Sequence, residues 1–313
     1  MFIYWYIEGK RKLEAVLVDI RRVKVATALV WAQPKTVTKN DQTYLKTGDL
    51  DQWLVDLSAA DRGRLADEDL VVTEALFNDQ VVLDRIEGQW AHVFVRRQAN
   101  RMERRGYPGW LPLSQLTATD EELDYPTTTV RLVQVSTPLL DQDRQPVMNL
   151  PLGSLLTTTG QTPEWLQVVT PLGKGWVTAS AAKLNATGAD RGDLLLTIGE
   201  KFIDTPYLWG GITPQGFDCS GLAYALHRAV GVWIPRDAQD QYANGYPVAP
   251  EQLSAGDLVF FAKKHGTGTV HHVGMYAGDG QMLHAPKPGE NVQLTPMATP
   301  KYAAEYVGAR RFW

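Results

Sequence analysis

The sequence predicts an α+β protein: two small β-barrels followed by a domain in which helices pack on an antiparallel sheet. Three observations carry this reading. Trp90-Ala-His-Val followed by Pro108-Gly-Trp-Leu is echoed by Trp165-Leu-Gln-Val followed by Lys174-Gly-Trp-Val, a low-identity internal repeat of alternating segments and glycine turns. Beyond a small, polar stretch at 185–190 the pattern changes to helical spacing and then to a run of apolar strands, the order expected of an α+β domain. Finally, 44% hydrophobic residues, with 10 Trp and 12 Tyr among 313 residues, are ample for packed cores.

In chain order, residues 1–20 join an aromatic run to a mixed-charge segment and are expected to form an N-terminal arm. The first barrel is expected over 21–126, with strands at 23–30, 71–72, 80–83 and Trp90–Val95, and with a turn at 106–112 feeding another. Residues 50–57 have helical spacing and read as an insertion, and the arginines between Arg96 and Arg105 read as a solvated loop. The second barrel is expected over 127–186, with strands at 130–135, 155–156, 165–169 and 173–177. The third domain, 193–313, begins with helices at 194–202 and Cys219–Val230 and continues as strands at 257–261, 273–277, Gln281–His284 and 306–312.

Charge and cysteine content narrow the function classes. Lys+Arg 31 against Asp+Glu 35 gives a net charge of -4, so no overall basic field recommends nucleic acid or an anionic membrane as partner. No apolar run approaches the roughly 20 residues of a membrane span. Arg21-Arg22 precedes an apolar stretch at 25–32 that could pass for a signal-peptide core. Glu8, Glu14 and Asp19 in the supposed basic region, Lys24 at its edge and the Val23/Val25 alternation favour a strand instead. A cytoplasmic protein is therefore expected, with secretion and a mature start at Gln33 as the alternative.

The chain has one cysteine, Cys219, so no intrachain disulfide can form. Asp218 is a good N-cap, Gly231 a plausible stop, and Leu222, Ala225, Leu226 and Ala229 recur at helical spacing. The thiol thus lies on the first turn of a helix, where the dipole favours a thiolate, a position that suits a nucleophile rather than a core residue. Such a nucleophile needs a base, and the base an orienting partner. Gly278-Asp-Gly280 reads as a hairpin turn between strands carrying His272 and His284, whose imidazoles can then be cross-strand neighbours, while His271 points the other way. Zinc is the rival for a Cys and two His, but a fourth ligand with metal spacing is missing, so neither metal nor cofactor is expected.

The motifs D-C-S-G at 218–221, P-Y-L-W-G-G at 206–211, I-P-R-D at 234–237, G-D-L-V-F-F at 256–261, H-V-G-M-Y at 272–276 and L-H-A-P at 283–286 resemble, in this order, those of the NlpC-type cell-wall peptidases, a papain-like cysteine peptidase family. The resemblance implies a triad of Cys219 as nucleophile, His272 as base and His284 orienting it. It also places Asp218, Ser220, Arg236 and Asp237 along the substrate cleft, Tyr207 near the oxyanion site and Trp209 in a cleft wall. Ala238 stands where relatives often carry Ser.

Both barrels resemble bacterial SH3-like domains. Two of them ahead of such a catalytic domain, with T-E-A-L-F at 73–77 and G-Y-P-G-W at 106–110, resemble the γ-D-glutamyl-L-diamino acid endopeptidases that recycle murein peptides. That resemblance implies that Glu74 and Tyr107 lean over the cleft and hold the free N-terminal L-Ala of the substrate. The implied partners are murein peptides of the form L-Ala-γ-D-Glu-L-diamino acid, and the sequence does not choose between meso-diaminopimelate and Lys. Competing readings are a wall-cleaving autolysin, a catalytically dead wall-binding protein, which the intact Cys219, His272 and His284 argue against, and an acyltransferase, for which no membrane-facing amphipathic helix is evident.

Overall fold

The computed structural model describes residues 2–4, 16–118, 128–183 and 191–313. The aromatic run beyond Tyr4, the junction expected at 126/127 and the linker at 185–190 lie outside the described residues. Two seven-stranded antiparallel sheets precede a six-stranded one. The internal repeat has a structural counterpart: His92, two residues after Trp90, pairs with Trp110, and Gln167, two residues after Trp165, pairs with Trp176.

The first sheet runs Phe2–Tyr4, Val16–Arg22, Gln80–Glu87, Trp90–Val95, Tyr107–Pro112, Thr27–Trp31, Val71–Leu76. Two expectations change here. Strand Val16–Arg22 pairs with Gln80–Glu87, from Asp19 against Leu83 to Arg22 against Gln80, so the sheet reaches into the stretch expected to be an arm. The single strand expected at 23–30 is instead a corner between two strands, because Val23 bridges Leu116 and the Lys24 N–H donates to the Gln115 carbonyl before Thr27–Trp31 begins. The insertion holds three short helices, Gln42–Thr47, Leu50–Asp56 and Ala59–Asp67. Tyr44, Trp53, Leu54 and Leu65 of these helices share a core with Trp31 and with Leu208 of the third domain, and Trp209 packs against it.

In the third domain the sheet order is Tyr246–Val248, Tyr306–Arg311, Leu258–Ala262, Val270–Gly278, Gln281–His284, Gln293–Pro296. Strand Leu258–Ala262 alternates as a doubly covered strand should. Leu258 and Phe260 join the core under helix Cys219–Val230, with Leu222, Leu226 and Ala229, whereas Val259 and Phe261 pack with Met282 and Tyr302 on the other face. Helix Arg191–Gly199 adds Leu195 and Ile198 to the first of these cores and continues as a 3-10 turn, Glu200–Phe202.

The three units meet at Arg228, a fully buried residue of helix Cys219–Val230. Its guanidinium grips Asp79 of the first unit in a two-pronged ion pair at 2.9 and 2.6 Å and donates to the Gly153 carbonyl of the second at 2.8 Å. The loop after Trp90–Val95 is also part of this junction rather than simply solvated. The Arg97 carbonyl accepts from the Tyr224 hydroxyl, the Ala99 carbonyl from the Arg236 N–H, and the Arg101 N–H donates to Asp240. A loop dense in arginine looked surface-bound because its docking uses main-chain groups, which carry no sequence signature.

Candidate active site

Helix Cys219–Val230 begins as its sequence demands. Asp218 is extended and its Oδ1 accepts the Gly221 N–H at 2.6 Å, and Gly231 closes the helix at φ 86°. Gly221 has no alternative, because a Cβ there would come within 2.0 Å of the Gly211 carbonyl oxygen. The same holds for Gly210, whose φ is +78° and whose Cβ would meet the Val71 carbonyl oxygen of the first barrel at 2.8 Å. These two contacts let the 207–211 turn lie between the barrel and the nucleophile.

Cys219 and His272 line one cleft of about 620 Å³. Gly278-Asp-Gly280 forms the expected hairpin, with Asp279 and Gly280 both at positive φ. Within it Met275 pairs with Leu283 and Tyr276 with Met282. His272 and His284 are therefore diagonal neighbours on one face, and His272 Nε2 lies 2.8 Å from His284 Nδ1. The chain continues outward, with His284 Nε2 3.0 Å from Thr295 Oγ1. For His272 to accept a proton at its free Nδ1, its Nε2–H must donate to His284 and the His284 Nε2–H to Thr295. Tyr302 stacks on His272, with ring centroids 5.7 Å apart, and meets His284 edge-on. Thr295 and Tyr302 were not legible from the sequence, since the short strand Gln293–Pro296 and helix Pro300–Glu305 that present them show no apolar periodicity.

The site disfavours the charged form of both histidines. Burial, with His284, His271 and Lys301 nearby, holds His272 well below the ordinary imidazole range, and burial followed by Lys301 lowers His284 to about 4. The thiolate expected from the helix dipole is opposed by the site around it. Burial pushes the Cys219 thiol up to about 12 and Asp218 adds to the shift, against smaller opposing effects of the Val273 and Ser220 N–H groups and Arg236. Both shifts favour a neutral thiol and a neutral imidazole in the one cleft, from which proton transfer to His272 would accompany attack. Tyr207 borders the same cleft, and burial together with the negative charge that Cys219 and Asp218 would carry raises its pKa, so its hydroxyl remains a donor. Trp209, half-buried, forms part of the wall as expected.

The remaining residues divide differently from the expectation. Asp218, Ser220 and Arg236 border the cleft, yet their polar atoms are committed to one another. Arg236, 1% exposed, donates to both Asp218 oxygens at 3.1 and 2.6 Å, to Ser220 Oγ at 3.0 Å and to Thr73 Oγ1 of the barrel at 2.9 Å. Asp218 also accepts the Ser220 hydroxyl and the Gly210 N–H. This knot fixes the nucleophile's turn to the barrel rather than offering ligands to a substrate. Tyr107 and Asp237 do line the cleft, and the Tyr107 hydroxyl donates to the Asp237 carboxylate at 3.0 and 3.1 Å.

Glu74 is corrected outright: it is 0% exposed, is absent from the cleft lining, and accepts the Ile212 N–H at 2.8 Å behind the 207–211 turn. Burial raises its pKa to about 7, against the Ile212 N–H, the nearby Thr213 hydroxyl and Arg236, and among the described residues its Oε1 accepts no hydrogen bond. Strand Val71–Leu76 is covered by the third domain at this point, so a carboxylate expected to face the substrate amine is sealed between domains. Among the described residues no cluster of three or more His, Cys, Asp or Glu side chains is placed to hold a metal ion, and no helix is long and apolar enough to cross a membrane.

Residues 204–311 match the NlpC/P60 family. The chain is 34% identical over 290 residues to the gamma-D-glutamyl-L-lysine dipeptidyl-peptidase of Bacillus subtilis, covering 91% of this chain and 96% of that one. It is 32% identical over 299 residues to the Bacillus cereus protein of the same name, covering 93% and 90%. The crystal structure of an NlpC/P60 family protein from Bacillus cereus superposes with a TM-score of 0.87 at 31% identity, over 94% of this chain and 99% of that one. With the Cys219–His272–His284 arrangement and this similarity along nearly its whole length, the chain belongs to the NlpC/P60 family of cysteine peptidases.

Proposed function

We propose that the protein hydrolyses the bond between γ-D-Glu and an L-diamino acid in murein peptides that carry a free N-terminal L-Ala. The observation that carries this reading is the Tyr107–Asp237 pair, in which the barrel supplies a phenol to a carboxylate of the catalytic domain at the cleft. An α-ammonium fits there: Asp237 is a half-buried anion whose pKa is raised by burial, against Arg236 and the Tyr107 hydroxyl, and no lysine or arginine forms an ion pair with it among the described residues. The names of the two Bacillus relatives support a γ-D-glutamyl bond as the target.

In this reading Cys219 Sγ attacks the γ-carbonyl carbon while His272 Nδ1 takes the thiol proton, and His284, held by Thr295, steadies the resulting imidazolium. The Tyr207 hydroxyl and the Cys219 N–H at the helix start stabilise the oxyanion. His272 then protonates the departing α-amine, leaving an L-Ala-γ-D-Glu thioester, which a water deprotonated by His272 hydrolyses to release the dipeptide and restore the thiol. Mass spectrometry of products from L-Ala-γ-D-Glu-L-diamino acid peptides, with the amine free or acetylated, tests the reading. Release of the dipeptide only from free-amine peptides supports it, and equal cleavage of acetylated peptides or of intact murein would favour an autolysin.

The proposed location is the cytoplasm. Strand Thr27–Trp31 is buried throughout in the first sheet, so processing after Ala32 would excise a core strand. A native protein beginning at Gln33 and recovered outside the cell would overturn this placement.

A further inference from the structure

The cleft is lined by opposite charges. The barrel and the 236–239 segment contribute Asp69 and Asp237, with Arg236 there spent on Asp218, whereas strand Val270–Gly278, the loop after strand Gln281–His284 and helix Pro300–Glu305 contribute His271, Lys287 and Lys301. Two of the basic groups are already matched: Lys287, 64% exposed, pairs with Glu290 at 3.2 Å and His271 with Glu305 at 3.2 Å. His271 reaches the cleft at all because it occupies a bulge, Phe261 pairing with His272 and Ala262 with Val270. Lys301 is different. Among the described residues it forms no ion pair. Its Nζ lies 5.4 Å from the ring centre of Tyr302, the same ring that stacks on His272. It is thus an unneutralised cation beside the catalytic base.

The location matters because of where each part of the substrate must lie, a point that rests on the reading above. With the L-Ala ammonium at Asp237 and the γ-carbonyl at Cys219, the departing diamino acid extends toward the basic wall. A lysine side chain would bring a lone ammonium to Lys301, whereas meso-diaminopimelate carries a carboxylate beside its distal ammonium and can turn that carboxylate to Lys301. We infer that Lys301 is a specificity-determining residue that selects leaving groups bearing a side-chain carboxylate, such as meso-diaminopimelate, over L-Lys. One exposed carboxylate–ammonium contact, with the distal ammonium of diaminopimelate turned away, corresponds to a preference of up to about fivefold in kcat/KM, weakened by salt.

The test compares the full-length protein on three peptides, L-Ala-γ-D-Glu joined to meso-diaminopimelate, to L-Lys and to the uncharged L-norleucine, at low and moderate ionic strength. The expected result is a diaminopimelate-over-lysine preference that shrinks with salt. In Lys301→Glu the diaminopimelate-to-norleucine ratio falls and the lysine-to-norleucine ratio rises, and Lys301→Gln is intermediate. Equal rates or a lysine preference in the wild type, or a Lys301→Glu variant that slows all three peptides by the same factor, would overturn the inference. The second outcome would show Lys301 acting through His272 alone. Cleavage of all three without charge preference would leave the bond specificity standing and remove only this inference, while cleavage of none would remove both.

Discussion

Exchanging the two carboxylates at the domain junction separates their roles. Asp237→Asn removes the charge that faces the substrate amine while keeping the Tyr107 contact. Loss of one desolvated, charge-assisted contact is worth about 2–5 kcal/mol, a fall of roughly 30-fold or more in kcat/KM for free-amine peptides. Acetylated peptides lack the partner charge, so their slow cleavage should hardly change, and the free-to-acetylated ratio should collapse. Glu74→Gln should leave that ratio intact, because Glu74 faces the Ile212 N–H, which a Gln oxygen also accepts. Its effect belongs to stability. The folded protein holds the Glu74 proton up to about pH 7, whereas an unfolded glutamate releases it near ~4.3. The folded state therefore binds more protons in that window, and stability is lost as pH rises through it, by an amount on the order of 3 kcal/mol. Denaturant melts of wild type and Glu74→Gln from pH 4 to 8 should diverge with rising pH, the variant becoming relatively more stable. A free-to-acetylated ratio that collapses in Glu74→Gln and survives in Asp237→Asn would refute the assignment.

Cys219→Ala and His272→Ala should each abolish hydrolysis with the melting temperature nearly unchanged, and His284→Ala should be milder because an unoriented His272 can still accept a proton; single-turnover kinetics with circular dichroism checks all three. Arg228→Met should destabilise the protein by about 3–5 kcal/mol, since it strands Asp79 in a buried site, and adding Asp79→Leu should recover much of the loss in urea unfolding. Because both catalytic histidines stay neutral well below the ordinary imidazole range and the Cys219 thiol is shifted up, activity should persist into acid beyond pH 6.5. Alkylation of the free protein by iodoacetamide should correspondingly accelerate only toward alkaline pH. A rapid pH-independent reaction at pH 5–7 would instead reveal a resting thiolate–imidazolium pair.

The catalytic domain was the most legible part of the sequence because its signals are local. Asp218 and Gly231 bound helix Cys219–Val230 with the side chains expected of caps, and Asp-Gly at 279–280 determines the hairpin that brings the histidines together. What could not be read depends on tertiary burial. Glu74, expected to hold the substrate amine, is sealed under the third domain, and Arg236, expected along the substrate cleft as a ligand, spends its donors on Asp218, Ser220 and Thr73. The helix start alone suggested a thiolate, whereas the depth of the site and the adjacent Asp218 favour the thiol. In the first unit the alternation of Val23 and Val25 continued across a corner that main-chain bonds to Gln115 and Asp79 impose, and such bonds leave no trace in side-chain pattern.

Attack of Cys219 on the γ-glutamyl carbonyl is read out by intact-mass spectrometry of rapidly quenched enzyme with an L-Ala-γ-D-Glu-L-diamino acid peptide. The expected result is a transient acyl adduct of L-Ala-γ-D-Glu, mapped to Cys219 and absent from Cys219→Ala. Turnover of the peptide by Cys219→Ala, or an adduct carrying the diamino acid, would contradict it.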